Sequence, residues 1–125
     1  MIIGTGVDIV EIARFRNVME RLKDRFVLRV FTPSEQEFCN KHRDPAPHFA
    51  VRFAAKEAMF KALGTGWAKG VTWLDVEILR ERTEAPRLSL RGEAERLCKS
   101  MGAGKIHLSL SHSEHSAIAV VILEQ

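Results

Sequence analysis

The sequence predicts an α+β fold in which helices pack on one face of an antiparallel sheet. Segments with the residue spacing of amphipathic helices dominate the first half of the chain. From residue 71 onward, most segments instead have the composition and turn spacing of strands. The 125 residues contain no repeat and no low-complexity tract, so we expect a single domain spanning residues 1–125.

The chain begins with a predicted strand and a long predicted helix. The strand covers Ile2–Val7, and apolar residues at helical spacing continue through residues 9–26. Asp8 stands at the junction, and its spacing to Glu11 is that of a capping box. One interpretation of Asp8 is therefore a helix cap that stabilises the fold by about 1 kcal/mol.

Two further helices are predicted before residue 65. In the segment 32–35, threonine at the N-cap, proline at the first helical position and glutamate at the third indicate a helix start. This short helix ends before the Asp-Pro-Ala-Pro connector at 44–47. The next helix runs from about His48 to Leu63, and Gly64 tolerates the positive φ that a helix C-terminus favours.

The second half of the chain is predicted to add two strands, one helix and a final antiparallel hairpin. The predicted segments are 71–79 (ending in the strand Val76–Leu79), Arg87–Leu90, the helix Gly92–Met101, and the hairpin strands Lys105–Ser111 and Ser116–Leu123. Together with the first half, they give the α+β order of elements.

Composition narrows the class of protein. The chain is 46% hydrophobic and 28% charged, as soluble globular proteins are. Its longest apolar run, Ala117 to Leu123, is far too short to span a bilayer, so we expect no membrane partner. The N-terminus lacks the basic segment of a secretory signal. Cys39 and Cys98 have no metal-binding spacing, so we expect reduced thiols and a cytoplasmic location.

A mild excess of positive charge indicates an anionic partner. The net charge is +3, and arginines concentrate near the N-terminus at positions 14, 16, 21, 25 and 29. Acidic residues interrupt this region, and no helix-turn-helix, RNP or zinc pattern is present, which argues against nucleic acid. An acidic protein fits better, and a simple solvated face is the alternative.

Glu57 and Lys61 carry the first chemical signal. They lie four residues apart on the third predicted helix, so their side chains project from one face. An exposed ion pair is one interpretation. Another is a phosphate site, in which Asp8 and Glu57 hold Mg²⁺ and Lys61 neutralises a phosphate. Spacing alone does not show that residues 8 and 57 meet.

A Ser-His-Ser sequence at 111–113 carries the second signal. Small hydroxyls and an imidazole at a strand end can line an anion or nucleotide pocket, and a histidine bonded to its own turn is the alternative. A Ser-His-Asp hydrolase fits poorly, since the chain has no GxSxG elbow. The other four histidines, at 42, 48, 107 and 115, have no ligand spacing and are interpreted as structural.

Three motifs resemble those of one enzyme family in order and spacing. They are Gly6–Glu11, then Arg52–Ala58 with Lys61 and Gly64-Thr65-Gly66, then Ser109–Ser113. Together they resemble the holo-acyl-carrier-protein synthases, the small group of 4′-phosphopantetheinyl transferases, over essentially the whole chain. One departure is Arg82-Thr83-Glu84-Ala85, where relatives often have an Asn-Gly-Lys turn.

The resemblance implies a transferase. Its reaction moves the 4′-phosphopantetheine group of coenzyme A to a serine of apo acyl carrier protein, yields adenosine 3′,5′-bisphosphate and supports fatty acid biosynthesis. It implies that Asp8, Glu57 and Lys61 are catalytic and that Asp8 and Glu57 hold Mg²⁺. The positions that match coenzyme A contacts are Arg52, Lys61, Gly64, Pro86, His112 and Ser113. The positions that match carrier-protein docking are Arg14, Arg21, Arg25 and Phe26.

The resemblance also implies a homotrimer with each coenzyme A bound between two subunits. A chain of 125 residues is compatible, because it offers little depth for a closed pocket of its own. Two other functions fit the residues: a basic binding module without catalysis, and a magnesium-dependent phosphohydrolase. The first predicts no magnesium requirement, and the second predicts release of free phosphate without a protein acceptor.

Overall fold

The computed structural model describes residues 1–64, 70–80 and 84–125. Thr65 and Gly66 of the predicted glycine turn lie outside the described residues, as do Arg82 and Thr83 of the turn before Pro86. None of the helices that the structure describes is long and apolar enough to cross a membrane.

Along the described chain, one strand is followed by four helices, two strands, one helix and two final strands. In order these are β1 (Ile2–Glu11), α1 (Ile12–Leu22), α2 (Asp24–Val30), α3 (Pro33–Asn40), α4 (Ala46–Leu63), β2 (Val76–Leu79), β3 (Arg87–Leu90), α5 (Gly92–Ser100), β4 (Lys105–His112) and β5 (Ser116–Glu124). A short 3₁₀ turn at Trp73–Asp75 precedes β2.

The main sheet has three antiparallel strands in the order β1-β5-β4. Strands β2 and β3 form a separate antiparallel pair. Helix α4 packs on one face of the main sheet and contacts all three strands. The predicted α+β class with an antiparallel sheet is confirmed, although the sheet is divided in two.

The predicted helix over residues 9–26 is wrong at both ends. Strand β1 continues to Glu11, which pairs with Ser116, because residues 7–10 alternate between the two faces of the sheet. Asp8 therefore lies within a strand and does not cap α1, whose N-cap position has no side-chain hydrogen bond. The helical region then breaks at Lys23, which has a φ of 50°. This break turns α2 back so that the ring of Phe26 reaches within 5.5 Å of Phe15.

Two glycines bring β1 directly against the backbone of α4. A Cβ atom on Gly6 would lie 1.9 Å from the Ala58 carbonyl oxygen, and one on Gly4 would lie 2.6 Å from that of Ala62. Any side chain at either position would push the strand off the helix. Helix α4 ends as predicted at Gly64, with a φ of 75°. The close packing fixes the height of β1 along α4, and hence which residues face each other there.

A buried ion pair holds the side of α4 that carries Lys56 against α3 and β2. Lys56 Nζ lies 2.8 Å from Glu35 Oε1, and both side chains are fully buried. Lys56 also donates to the carbonyl oxygen of Val76 at 2.7 Å, and Glu35 accepts from the backbone N–H groups of Thr32 and Ile78, both at 2.8 Å. The predicted helix start, with Thr32 as the N-cap and Glu35 at the third helical position, is confirmed, and the two residues form a capping box. The pair joins α3, α4 and β2 and sets the rotation of α4.

Candidate active site

The contact between β1 and α4 places a lysine beside an aspartate. Lys61 Nζ donates to Asp8 Oδ1 at 3.1 Å and to the Val7 carbonyl oxygen at 2.9 Å. The Asp8 side chain points toward the helix side of the sheet and is 18% exposed, whereas that of Lys61 is 53% exposed. The two residues, far apart in sequence, are therefore neighbours at the surface.

Glu57 lies one helical turn before Lys61 on the same side of α4. Its side chain is half-buried. Burial raises the pKa of the Glu57 carboxyl above its usual range, the charge of Asp8 raises the pKa further, and Lys61 opposes this. Two carboxylates and one ammonium thus share a single small region.

This region opens into a cleft of about 360 Å³. The cleft is lined by Asp8, Glu57 and a third carboxylate residue, Glu11, together with Arg14 and the aromatic residues Phe15 and Phe53. Acidic, basic and apolar residues therefore meet in one concavity, as is usual for small-molecule sites.

The donor set fits a hard cation that is completed by substrate. Within the described residues, no group of three or more His, Cys, Asp or Glu side chains is arranged to enclose a metal. Mg²⁺ commonly takes only one or two carboxylates, keeps waters and completes its shell with phosphate oxygens. The oxygens of Asp8 and Glu57 suit that mode. After burial, the charge of Asp8 is the second cause that raises the pKa of Glu57, so the two carboxylates are close enough to interact electrostatically.

A second group of predicted residues lies around the N-terminal part of α4. Arg52 is only 2% exposed, its guanidinium carbon lies 4.1 Å from the centre of the Phe38 ring, and it donates to the carbonyl oxygen of His48. The ring of His112, at the end of β4, lies 5.5 Å from the ring of His48. Arg52 and His112 are thus brought together through His48, which sequence reasoning had left as structural.

The remaining predicted coenzyme A positions lie at element ends. Gly64 terminates α4 and is exposed, and Pro86 immediately precedes β3. Ser113 closes the hairpin turn, where its N–H donates to the Ser116 carbonyl oxygen at 2.8 Å.

The two groups of residues lie at opposite edges of the main sheet. Asp8 belongs to the edge strand β1, and His112 belongs to the other edge strand, β4, with β5 between them. Two strand spacings separate these edges by about 10 Å. Helix α4 runs over the sheet, with Lys61 bonded toward β1 and His48 in contact with His112. The structure does not bring the carboxylate side and the histidine side together within one chain.

The predicted docking residues are divided between two helices. Arg14 and Arg21 are exposed on α1, and Arg14 lines the carboxylate cleft. Arg25 and Phe26 lie on α2, where they line a separate cleft of about 300 Å³. A neighbouring arginine, Arg16, is instead paired with Asp44 through two hydrogen bonds of 2.7 and 2.9 Å. Arg14 thus lies at the carboxylate cleft, whereas Arg25 and Phe26 lie at a separate cleft.

Known proteins resemble this chain over nearly all of its length. The family model described as the 4′-phosphopantetheinyl transferase superfamily matches residues 4–121. A holo-[acyl-carrier-protein] synthase of Geobacter sp. (strain M21) is 48% identical over 125 residues, which cover 100% of both chains. One from Koribacter versatilis (strain Ellin345) is 46% identical over 124 residues, or 99% of each chain.

Solved structures of holo-[acyl-carrier-protein] synthases also resemble this chain. The Helicobacter pylori holo-[acyl-carrier-protein] synthase in complex with coenzyme A matches with a TM-score of 0.83 and 34% identity, covering 96% of this chain and 99% of that one. The Neisseria meningitidis synthase matches with a TM-score of 0.89 and 32% identity, covering 100% of both chains.

Proposed function

This chain belongs to the 4′-phosphopantetheinyl transferase superfamily, within the holo-[acyl-carrier-protein] synthases, and we propose that it modifies an apo acyl carrier protein at the cleft that Asp8 and Glu57 line, beside Lys61. The group transferred is the 4′-phosphopantetheine of coenzyme A, and the acceptor is a serine hydroxyl. The observation that carries this assignment is the meeting of Asp8 and Lys61 at 3.1 Å beside Glu57.

Asp8 and Glu57 would hold Mg²⁺. Bound there, Mg²⁺ supplies positive charge that neutralises the diphosphate and favours departure of the leaving phosphate. Asp8 is held in place for this task by the register of β1 against β5 and by the contact of Gly6 with α4. Lys61 Nζ adds a compact, mobile positive charge beside the phosphates.

Glu57 is the proposed general base. Its carboxylate accepts the proton of the acceptor serine hydroxyl as that oxygen attacks the phosphorus of the phosphopantetheine group. The bond from this phosphorus to the bridging oxygen breaks, and that oxygen leaves on adenosine 3′,5′-bisphosphate. Glu57 is suited to this role by its place, one helical turn before Lys61 and beside Asp8 in the same cleft. Direct transfer needs no covalent enzyme intermediate, and the two cysteines are buried away from such a role.

The carrier protein would dock on the side of α1 and α2 that carries Arg14, Arg21, Arg25 and Phe26. An acidic partner is favoured there, because exposed arginines steer an oppositely charged protein and shorten the search for the correct orientation. Arg14 lies both on this surface and in the cleft, so a docked carrier protein would have its serine near Glu57. Such an enzyme in the cytoplasm would supply holo carrier protein for fatty acid biosynthesis.

A homotrimer with sites between subunits is part of the proposal. The face of the main sheet opposite α4 exposes Val7 (52%), Ile9 (65%) and Ile118 (37%), with Val120 and Ile122 beside them. Such a contiguous apolar face favours association between copies of the chain. Association would also place the carboxylate side of one copy near the histidine side of the next, so that one coenzyme A molecule contacts both. In this arrangement the Asp8 and the His112 of one site come from different copies, so their separation within one chain does not prevent a shared site.

Intact mass spectrometry of an apo acyl carrier protein tests the activity. After incubation with coenzyme A, Mg²⁺ and this protein, the carrier should gain one phosphopantetheine group, about 340 Da from its covalent composition. Asp8→Asn and Glu57→Gln should fold normally and slow the gain by roughly a thousandfold or more. Glu37→Gln, an exposed carboxylate on α3, is the matched control and should leave the rate unchanged.

The alternatives give different results in the same experiment. A binding module would leave the carrier mass unchanged with every variant, and a phosphohydrolase would consume coenzyme A and release phosphate without any acceptor. A fully active Asp8→Asn variant would remove the aspartate from the proposed site.

A further inference from the structure

Three histidines that are scattered in the sequence meet at one place in the fold. The rings of His42 and His48 stack with their centres 3.5 Å apart and an angle of 21° between their planes. The ring of His112 meets that of His48 edge-on at 5.5 Å. His48 is thus the middle member of a row of imidazoles from the connector after α3, from α4 and from β4, which we call the histidine row.

Helix α4 brings additional positive charge to the histidine row. Arg52 lies one turn after His48 on α4, is almost fully buried, and its Nε has no hydrogen-bond partner. His48 also lies in the first turn of the 18-residue helix α4, whose N-terminus carries a partial positive charge.

The nearby carboxylates are already paired with other cations. Asp44 accepts two hydrogen bonds from Arg16, and Glu35 forms its ion pair with Lys56. Among the residues that the structure describes, Arg52 therefore has no carboxylate within ion-pair distance. A buried arginine and three imidazoles whose nearby carboxylates are paired with other cations form an anion-binding environment.

His48 cannot easily be charged while this environment holds no anion. Burial, followed by the positive charges of His42, His112 and Arg52, lowers the pKa of His48 to about 4, and Asp44 opposes this shift. His42 Nδ1 lies 3.1 Å from the Phe38 carbonyl oxygen, which only accepts, so that nitrogen carries the proton and Nε2 faces away from the helix end.

We propose that the histidine row binds a phosphate group of the nucleotide and takes up one proton as it does so. The inference rests on the proposed function, because it assigns His42 and His48 to the nucleotide side of the coenzyme A site that Arg52 and His112 were predicted to form. An anion beside His48 replaces the missing counter-charge and raises the pKa of its imidazole. Near pH 6, His48 is neutral in the free protein and charged in the complex, so binding strengthens as pH falls.

Isothermal titration calorimetry with adenosine 3′,5′-bisphosphate tests the proposal. Titrations in buffers of different ionisation enthalpy give the number of protons taken up on binding. The nucleotide phosphate itself titrates near pH 6, so the informative quantity is the difference between wild type and His48→Phe, which keeps an aromatic ring in the stack. Near pH 6, wild type should take up about one proton more than His48→Phe. A plot of the logarithm of the binding constant against pH should therefore fall more steeply for wild type, by about one log unit per pH unit.

Two further variants complete the experiment. His115→Gln removes an exposed imidazole in the hairpin turn and should keep the wild-type proton uptake. His42→Gln should reduce the uptake, and it serves as the second probe of the row if His48→Phe does not fold. Equal proton uptake by wild type and a folded His48→Phe would overturn the inference while leaving nucleotide binding intact. Failure of wild type to bind the nucleotide at all would instead count against the proposed function.

Discussion

Breaking the buried Glu35–Lys56 pair should cost this protein a large part of its stability. Lys56→Met leaves the Glu35 carboxylate fully buried with two N–H donors and no counter-ion, and it removes the 2.7 Å hydrogen bond to the Val76 carbonyl oxygen. Removing one partner of a buried ion pair costs about 3–5 kcal/mol. Glu35→Gln leaves an uncompensated ammonium in the same place and should cost a similar amount.

The double variant Glu35→Gln, Lys56→Met should be more stable than either single variant. The glutamine keeps an oxygen for the N–H groups of Thr32 and Ile78, and no charge remains buried. What is lost is the bonding of the ammonium to backbone carbonyl oxygens, which contributes about 1.5–3 kcal/mol. The pair should therefore show a coupling energy of about 3 kcal/mol or more in a double-mutant cycle.

Urea unfolding followed by circular dichroism measures this cycle. All variants are compared at one protein concentration, because self-association makes stability depend on concentration. The exposed pair Glu37 and Lys41, 3.8 Å apart on the surface of α3, is the matched control and should couple by less than about 1 kcal/mol. Additive losses in the buried cycle would refute the conclusion that Lys56 and Glu35 stabilise the fold as a unit.

Three other perturbations have defined outcomes. Lys61→Ala should slow transfer by about a hundredfold, and Lys61→Arg should restore only part of the rate, since a planar guanidinium replaces a compact ammonium poorly; normal kinetics for Lys61→Ala would make its contact with Asp8 merely structural. Arg14→Glu or Arg25→Glu should raise the KM for the carrier protein but not the Kd for coenzyme A, and the defect should shrink as salt rises; equal losses for both substrates would indicate a damaged fold. Burial raises the pKa of the Cys39 thiol to about 12, so Ellman's reagent at pH 8 should modify it far more slowly in the native protein than in urea; rapid native labelling would contradict its burial.

Local signals predicted several elements well. The helix start at Thr32–Glu35, the Gly64 stop of α4 and the final hairpin depend on neighbours in sequence, and the structure has each of them. The extension of β1 to Glu11 depends instead on pairing with β5, more than a hundred residues away. No glycine or proline marks the break at Lys23 in the sequence. The break is explained by a tertiary contact, the packing of Phe26 on Phe15.

The candidate site was predictable as a set of residue types but not as a geometry. The spacing of Glu57 and Lys61 placed both on one helical face, whereas the meeting of Asp8 with Lys61 depends on the contact of Gly6 with the backbone of α4. Sequence reasoning also passed over Lys56, because a lysine beside Glu57 looks like another surface charge. Its alanine and methionine neighbours were the available signal that this side of the helix is buried.

The histidine row had no comparable signal in the sequence. His42 lies in the connector after α3, His48 on α4 and His112 on β4, and no regular spacing relates them. Only the packing of this connector and of β4 against the start of α4 makes them neighbours, so their chemistry is a property of the tertiary structure.

Subunit mixing tests most directly whether the transfer site is assembled from the carboxylate side of one copy and the histidine side of the next. Asp8→Asn damages the first side, and His112→Glu places a repelling charge on the second. Each variant alone should be nearly inactive in the carrier-mass assay. Random mixing in equal amounts makes about three quarters of all trimers mixed, and each mixed trimer has one intact site in three, so the mixture should recover about a quarter of wild-type activity. A mixture that stays as inactive as its parents, although mass spectrometry detects mixed trimers, would contradict the shared site.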